Sequence, residues 1–423
     1  MSFIKKIFKA YVDIPLILRI AVGLAIGVVL GLCAKEATFM SIFGDVFVGA
    51  LKAVAPLLVF VLIISALSTA GKGLGSRFRT VIILYMASTF IASFIAVCAS
   101  YIFPLEIPLI EVPGAEDQTP PEGLGQVFST LLNNMVQNPV TALMNGNYVG
   151  ILTWAVIIGF AMRFVASDNT KNVLADISKG ISKVVGWIIQ LAPFGIMGLV
   201  FTAVSQNGME IFADYGQLLL LLVSCMLLVS FVVNPFIIFL CLRRNPYPLV
   251  FRCLKDSGIS AFFTRSSAAN IPVNMGLCKN LGLDEDFYSV AVPLGATINM
   301  DGAAITIAIM SLAAAFSTGV QVPFGMAILL SIVATLGACG ASGVAGGSLL
   351  LIPMACSLLG VSADVAMQFV AIGFIIGVIQ DSLETALNSS GDAMFVATAE
   401  YMEWKKEDRK EDISKSIKGQ LSK

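Results

Sequence analysis

Long apolar stretches, each about as long as a membrane-crossing helix, dominate this chain. Charged residues make up only 13% of the 423 residues and hydrophobic residues 57%, whereas a soluble protein carries about 25% charged residues. A helix needs about 20 apolar residues to cross a bilayer. We therefore predict an all-α polytopic membrane protein, with one membrane domain over 1–423 and the lipid bilayer as its surroundings.

Eight apolar segments are long enough to cross the membrane. The loop over 104–122 has acidic residues but no Lys or Arg, whereas the loops after the second, fourth and sixth segments are basic. Because basic loops stay on the cytoplasmic side, both termini are predicted to be cytoplasmic, including a tail over 401–423 that is either a solvated helix or disordered. The predicted spans are 15–33, 46–69, 80–103, 141–165, 181–204, 215–242, 287–315 and 366–399.

Two further apolar stretches, 249–282 and 325–359, are interrupted near their middle. The first interruption is polar, from Thr264 to Asn270, and the second is glycine-rich, from Gly337 to Ser348. Non-helical backbone at membrane depth is tolerated only where protein or water satisfies it. Each stretch is therefore predicted to be a re-entrant helical hairpin. Because each precedes a long polar-interrupted span, the two hairpin-plus-helix units are predicted to have inverted topology.

The seventh span, 287–315, contains a polar break. Thr297, Asn299 and Asp301 lie inside it, and a carboxylate at that depth costs at least ~2.5 kcal/mol without compensation. We interpret the segment as a broken helix whose carbonyls and carboxylate hold a cation. A satisfied polar patch between helices, or a buried turn, is the alternative.

The eighth span carries a polar stripe. Asp381, Glu384, Thr385, Asn388 and Asp392 are spaced by three or four residues and so share one helix face. With few basic residues near it, this face suits cations: sodium ions and a substrate ammonium group.

The tip of the first hairpin suits an anion. Arg265, Ser266 and Ser267 supply backbone donors and hydroxyls to which a carboxylate binds readily, and Arg265 at that depth needs a partner or water. Packing of small residues between helices is the alternative explanation of the serine pair.

Composition argues against several other classes of protein. The chain has no histidine, so the usual hydrolase arrangements are missing, and we predict no enzyme activity. A passive channel would not need two inverted hairpins. The net charge of −1 argues against nucleic acid as a partner.

Four strings resemble one known family. They are SSAANIP in the first hairpin, LGATINMDGAA in the seventh span, GASGVAGG in the second hairpin and DSLETALNSSGD in the eighth span. Together they resemble the dicarboxylate/amino acid:cation symporter family, which includes the glutamate transporters. Within the family, the chain is most similar to bacterial members that take up serine and threonine with sodium.

The resemblance implies an elevator-type homotrimer in the bacterial inner membrane. A mobile transport domain would hold the third span, 80–103, both hairpins and the last two spans, while 1–79 and 141–242 would supply mainly scaffold spans. It also implies Na⁺ as the transported coupling ion, with no organic cofactor.

The resemblance further implies roles for individual residues. Asp381 would hold the substrate ammonium group, and Asn388 with the Ser266–Ser267 tip would hold the α-carboxylate. The implied substrate site comprises Arg265, Ser266, Ser267, Ala303, Val344, Gly346, Asp381, Glu384, Thr385 and Asn388.

Three sodium sites are implied in the same way. The first comprises Asn299, Asn388, Asp392 and the carbonyl of Gly295. The second comprises Asp301, Asn299, Tyr85, Ser88 and Thr89. The third comprises the carbonyls of Thr297, Ala338, Cys339 and Ala341, and is capped by the second hairpin.

Two departures from the family pattern bear on the substrate. Members that carry acidic amino acids have an arginine at the position of Glu384 and a threonine at that of Ala303. Since Glu384 would repel a substrate carboxylate and could accept a hydrogen bond from a hydroxyl, serine and threonine are the predicted substrates. The alternative is a sodium- or proton-coupled carrier of dicarboxylates, acidic amino acids or other small neutral amino acids.

Overall fold

The computed structural model describes residues 14–69, 76–109, 129, 132–341 and 346–419, and every regular element in them is a helix. Within these residues, six helices are long and apolar enough to cross a bilayer, or seven if one bent pair counts as a single span. The first nine helices are α1 (Leu16–Cys33), α2 (Ser41–Thr69), α3 (Ser76–Ile102), α4 (Pro139–Asn145), α5 (Tyr148–Val165), α6 (Asp168–Ile189), α7 (Ala192–Asn207), α8 (Ile211–Leu228) and α9 (Asn234–Leu242).

The C-terminal part of the chain contains the interrupted helices. A π-helical turn, Val229–Val233, joins α8 to α9, and another, Leu254–Gly258, joins α10 to α11. The remaining helices are α10 (Tyr247–Cys253), α11 (Ile259–Thr264), α12 (Ser267–Asn280), α13 (Glu285–Ile298), α14 (Asp301–Ser317), α15 (Phe324–Ala338), α16 (Ile352–Leu358), α17 (Ala363–Lys406) and α18 (Lys410–Ile417).

Helix α1 shows how an apolar sequence is divided between protein and lipid. A side chain at Gly23 would lie 2.1 Å from the Pro193 carbonyl oxygen of α7, so glycine permits this close backbone approach. On another face, Val22 and Val29 are each 58% exposed. Such exposure of apolar side chains on a long apolar helix fits contact with lipid tails.

The predicted fifth span, 181–204, is not one straight helix. The chain bends by 54° between α6 and α7, and Pro193 occupies the first turn of α7. Proline lacks an N–H and its ring clashes with the preceding turn, so it favours a helix start over a helix interior. In addition, α6 begins well before residue 181 and carries an exposed lysine, Lys179.

Both interrupted stretches fold back as helical hairpins. In the first, the chain reverses at Arg265, whose φ is +51°, and the Asn270 side chain of α12 donates to the Ser257 hydroxyl at 2.9 Å. In the second, α15 and α16 approach so closely that a side chain at Gly337 would lie 2.3 Å from Met354 Cε. In each stretch two helices therefore contact one another, while their assignment as re-entrant hairpins in a membrane stays a prediction.

The seventh span is broken where the polar residues occur. Helix α13 ends at Ile298 and α14 begins at Asp301, with Asn299 and Met300 in non-helical conformations between them. The break is two residues long, shorter than the whole polar run, because Thr297 still lies within α13. It leaves the N-terminus of α14 buried against α17.

The C-terminal tail contains a helix, α18, as one of the two predicted alternatives has it, but this helix is only partly solvated. Ile413 is buried, and the Tyr401 and Ser416 hydroxyls lie 2.6 Å apart. Ser416 Oγ also donates to the Leu281 carbonyl after α12. One apolar and one hydroxyl side chain among the charges are enough to dock this helix against the base of the first hairpin.

Candidate functional site

The polar stripe of α17 lies inside the protein. Asp381, Glu384, Thr385, Asn388 and Asp392 are each at most 5% exposed. Carboxylates buried to this extent need partners, and the partners come from both hairpins, the break after α13, α14 and α17 itself. The stripe is therefore the point at which the hairpins and the broken helix meet.

Arg265 forms a buried ion pair with Asp381. Arg265 Nε lies 2.7 Å from Asp381 Oδ2, and the two side chains are 9% and 3% exposed. The other oxygen of Asp381, Oδ1, accepts from the Gly346 amide at 3.2 Å. The hairpin reversal therefore places one guanidinium, that of Arg265, directly on this face.

Glu384 accepts hydrogen bonds from α14, from the segment after the second hairpin tip and from the preceding turn of its own helix. Its Oε2 lies 2.7 Å from Thr306 Oγ1 of α14, 2.9 Å from Ser348 Oγ and 2.6 Å from Gln380 Nε2. Helix α14 can approach closely because a side chain at Gly302 would lie 2.8 Å from Glu384 Cα. Within the described residues, this carboxylate has no cationic partner.

Asn299 joins the break to the stripe. Its Nδ2 donates to the Asn388 carbonyl and to Asp392 Oδ1, both at 3.0 Å, while Asn388 Oδ1 accepts from the Gly302 amide at 2.7 Å. A side chain at Gly295 would lie 2.9 Å from Asp392 Oδ1. These contacts bring together the four residues predicted for the first sodium site.

One oxygen of this cluster lacks a protein donor. Asp392 Oδ2 is fully buried and accepts no hydrogen bond within the part of the chain that the structure describes. An unpaired buried carboxylate oxygen is costly, and a bound cation would satisfy it. The donor set of carboxylate, amide and carbonyl oxygens fits Na⁺, a hard cation that takes oxygen ligands.

Asp301 forms the second cluster. Its Oδ1 accepts from Ser88 Oγ at 2.9 Å and from Thr89 Oγ1 at 3.1 Å, and its Oδ2 accepts from Asn234 Nδ2 at 2.9 Å. The Tyr85 hydroxyl does not reach Asp301. It lies 3.3 Å from the Asp392 carbonyl, so this side chain belongs to the first cluster.

Only some of the residues predicted for the third sodium site lie close to one another. Cys339 Sγ lies 3.8 Å from the Ile298 carbonyl, which brings the end of α15 next to the end of α13. The Ala338 carbonyl already accepts from the Ala341 amide at 2.9 Å, and Thr297 is exposed. A cation there would compete with that backbone bond.

The other predicted substrate residues surround the stripe. Ser266 caps α12 by accepting from the Ala269 amide, and Ser267 and Ala303 are buried. Thr385 Oγ1 donates to the Asp381 carbonyl at 2.8 Å. Val344 lies outside the described residues.

Sequence reasoning missed four polar partners: Thr306, Ser348, Gln380 and Asn234. Gln380 lies four residues before Glu384 and so on the same helix face, which is a signal that extending the stripe would have found. Asn234 directly follows the π-helical turn of the sixth span, and such turns often occur at functional sites. Thr306 and Ser348 carry no comparable local signal.

Comparison with known proteins agrees with this architecture. The model of the sodium:dicarboxylate symporter family matches residues 16–402. A relative named serine/threonine transporter SstT, from Bifidobacterium adolescentis, is 57% identical over 97% of this chain and 96% of its own length. Proteins of the same name from Streptococcus thermophilus and Streptococcus agalactiae are 54% and 57% identical over 95% and 94% of this chain, covering 100% and 98% of their own lengths. The chain therefore belongs to the sodium:dicarboxylate symporter family.

Proposed function

We propose that this multi-pass membrane transporter, which is not an enzyme, takes up serine and threonine with sodium across the bacterial inner membrane. The observation that carries the proposal is the Glu384 carboxylate, buried among hydroxyl and amide donors beside the Asp381–Arg265 pair. The relatives named as serine/threonine transporters support the same substrates.

The charges of the substrate site favour a zwitterion with a neutral side chain. With both carboxylates ionised, Asp381, Glu384 and Arg265 together carry one net negative charge, which complements an ammonium group. A second carboxylate on the substrate would meet Glu384, and like charges brought together in a desolvated site cost several kcal/mol. A serine or threonine hydroxyl would instead donate to Glu384.

The two ends of the amino acid have separate partners in this proposal. Asp381 binds the ammonium group, sharing its carboxylate with Arg265. The Asn388 amide and the Ser266–Ser267 tip bind the α-carboxylate, for which backbone N–H groups at the start of a helix such as α12 are suited.

Sodium binds the two clusters that share Asn299. Asp392 Oδ2 is the buried oxygen that a cation would satisfy in the first, and Asp301 supplies the carboxylate of the second. Because Asn388 belongs to both the first sodium cluster and the substrate site, sodium and substrate stabilise one another's bound state, and such coupling is reciprocal.

The transport step follows the elevator scheme implied by the resemblance. Eight spans and two re-entrant hairpins of inverted topology form a homotrimer, with both termini cytoplasmic. The pairing of each hairpin with a following long helix, α13–α14 or α17, supports the repeat.

Serine affinity in different cations tests the proposal. We expect purified protein in proteoliposomes to bind and accumulate labelled serine in sodium but not in choline. Equal serine affinity in the two salts would refute sodium coupling. Strong competition by excess aspartate would favour the carrier of acidic substrates instead.

A further inference from the structure

The Glu384 carboxylate is held from one side. All the hydrogen bonds that it accepts within the described part of the chain fall on Oε2, from Thr306, Ser348 and Gln380. Those three donors are at most 1% exposed, whereas Glu384 keeps 5% of its surface exposed. The oxygen that receives none of these bonds, Oε1, is therefore the one left to meet a ligand.

The Gln380 side chain directs its amide nitrogen at Glu384, and this orientation leaves its own amide oxygen without a donor in the described residues. Its Nε2 donates to Glu384 Oε2 at 2.6 Å and to Thr306 Oγ1 at 2.7 Å, which uses both of its N–H groups. Its Oε1 is buried without a donor in the described residues, and an unpaired buried acceptor is unfavourable. The opposite orientation would place the amide oxygen against the carboxylate, so the charge of Glu384 determines which end faces it.

Thr306 and Ser348 hold the carboxylate from two other segments. Thr306 lies one turn after Gly302, where a Cβ would lie 2.8 Å from Glu384 Cα, so the lack of a side chain makes room for Glu384. Ser348 begins the helical segment after the second hairpin tip. Together with Gln380, which lies one turn earlier on the same helix, these two residues favour the one rotamer of Glu384 in which all three bonds are made. Removal of a donor weakens the preference for that rotamer.

We infer that Thr306, Ser348 and Gln380 are positioning residues that aim Glu384 Oε1 at the substrate hydroxyl and so determine selectivity for serine over alanine. The inference rests on the proposed function. Serine and alanine differ only by that hydroxyl, and a site built to bind a hydroxyl discriminates against the analogue that lacks it. The ratio of serine affinity to alanine affinity therefore measures whether Glu384 Oε1 is oriented toward the substrate hydroxyl.

The test measures equilibrium binding of serine and of alanine, in sodium, to the full-length protein. We expect Thr306→Val, Ser348→Ala and Gln380→Met each to lower the ratio about tenfold, with alanine affinity within about twofold of wild type. Retained alanine binding also shows that the variant is folded. Thr306→Ser, which keeps the hydroxyl, should restore the ratio.

Thr398→Val is the matched control. Thr398 is equally buried and donates only to the Met394 carbonyl of its own helix, so its loss should leave the ratio unchanged. Equal losses of serine and alanine affinity in the three variants, or an unchanged ratio, would overturn the inference. Failure of the wild-type protein to bind serine in sodium would reject the proposed function itself, a result separate from the behaviour of the variants.

Discussion

Asp381 has two roles that the Asp381→Asn variant tests with separate measurements. Its ion pair with Arg265 contributes to stability, and its proposed contact with the substrate ammonium group contributes to binding. The substitution keeps the shape of the side chain but removes the charge opposite Arg265, 2.7 Å away and 9% exposed. Breaking a buried ion pair by neutralising one partner costs about 3 to 5 kcal/mol. At an effective dielectric constant of 20, unit charges 4 Å apart attract by about 4 kcal/mol, which lies within that range, so a loss of about 4 kcal/mol is expected.

Serine affinity should fall by a separate mechanism. A hydrogen bond to a charged group contributes about 1.5 to 3 kcal/mol, so loss of the ammonium partner weakens serine binding about 10- to 100-fold. The double variant Arg265→Met/Asp381→Leu removes both charges. It should regain wild-type stability, since an apolar pair of similar volume replaces a buried ion pair at little cost, but it should not regain serine binding.

Unfolding in detergent, followed by calorimetry, and equilibrium binding of labelled serine measure the two effects. Asp364→Asn is the control on the same helix, because the Lys52–Asp364 pair is about half exposed and contributes less than about 1 kcal/mol. If Asp381→Asn bound serine with wild-type affinity, its assignment to the ammonium group would be wrong. Unchanged stability in the same variant would contradict the buried ion pair.

Three further variants test other parts of the structure. Glu384→Gln should raise the ability of aspartate to compete with labelled serine at least tenfold, since a like charge is removed, without creating tight aspartate binding; undiminished exclusion of aspartate would contradict this. Asp392→Asn should shift the sodium dependence of serine binding to higher sodium by at least tenfold, with serine affinity recovering at saturating sodium; an unshifted sodium titration would remove Asp392 from the site. Ser416→Ala should lower the free energy of unfolding by about 1 kcal/mol through its lost bonds to Tyr401 and Leu281, with serine affinity unchanged, and a stability equal to wild type would argue against docking of α18.

Local patterns predicted much of the site. The stripe from Asp381 to Asp392 was visible because helix periodicity is a property of a single segment, and the break around Asn299 was visible because polar residues are rare inside an apolar span. The bend before Pro193 and the docking of Ile413 were misjudged. In both cases a single residue, a proline or a buried isoleucine, outweighed the average character of its segment.

The sequence by itself determined that the chain is an apolar bundle of helices with two interrupted hairpins, a broken span and a buried acidic face. Hydrophobicity, helix periodicity and glycine content are local, so they can be read along the chain. Only the tertiary structure decided that Arg265 neutralises Asp381 while Glu384 is held by hydroxyl and amide donors. Except for Gln380, those partners lie 36 to 116 residues along the chain from the carboxylate that they bind. The packing of separate helices determines which of them meet.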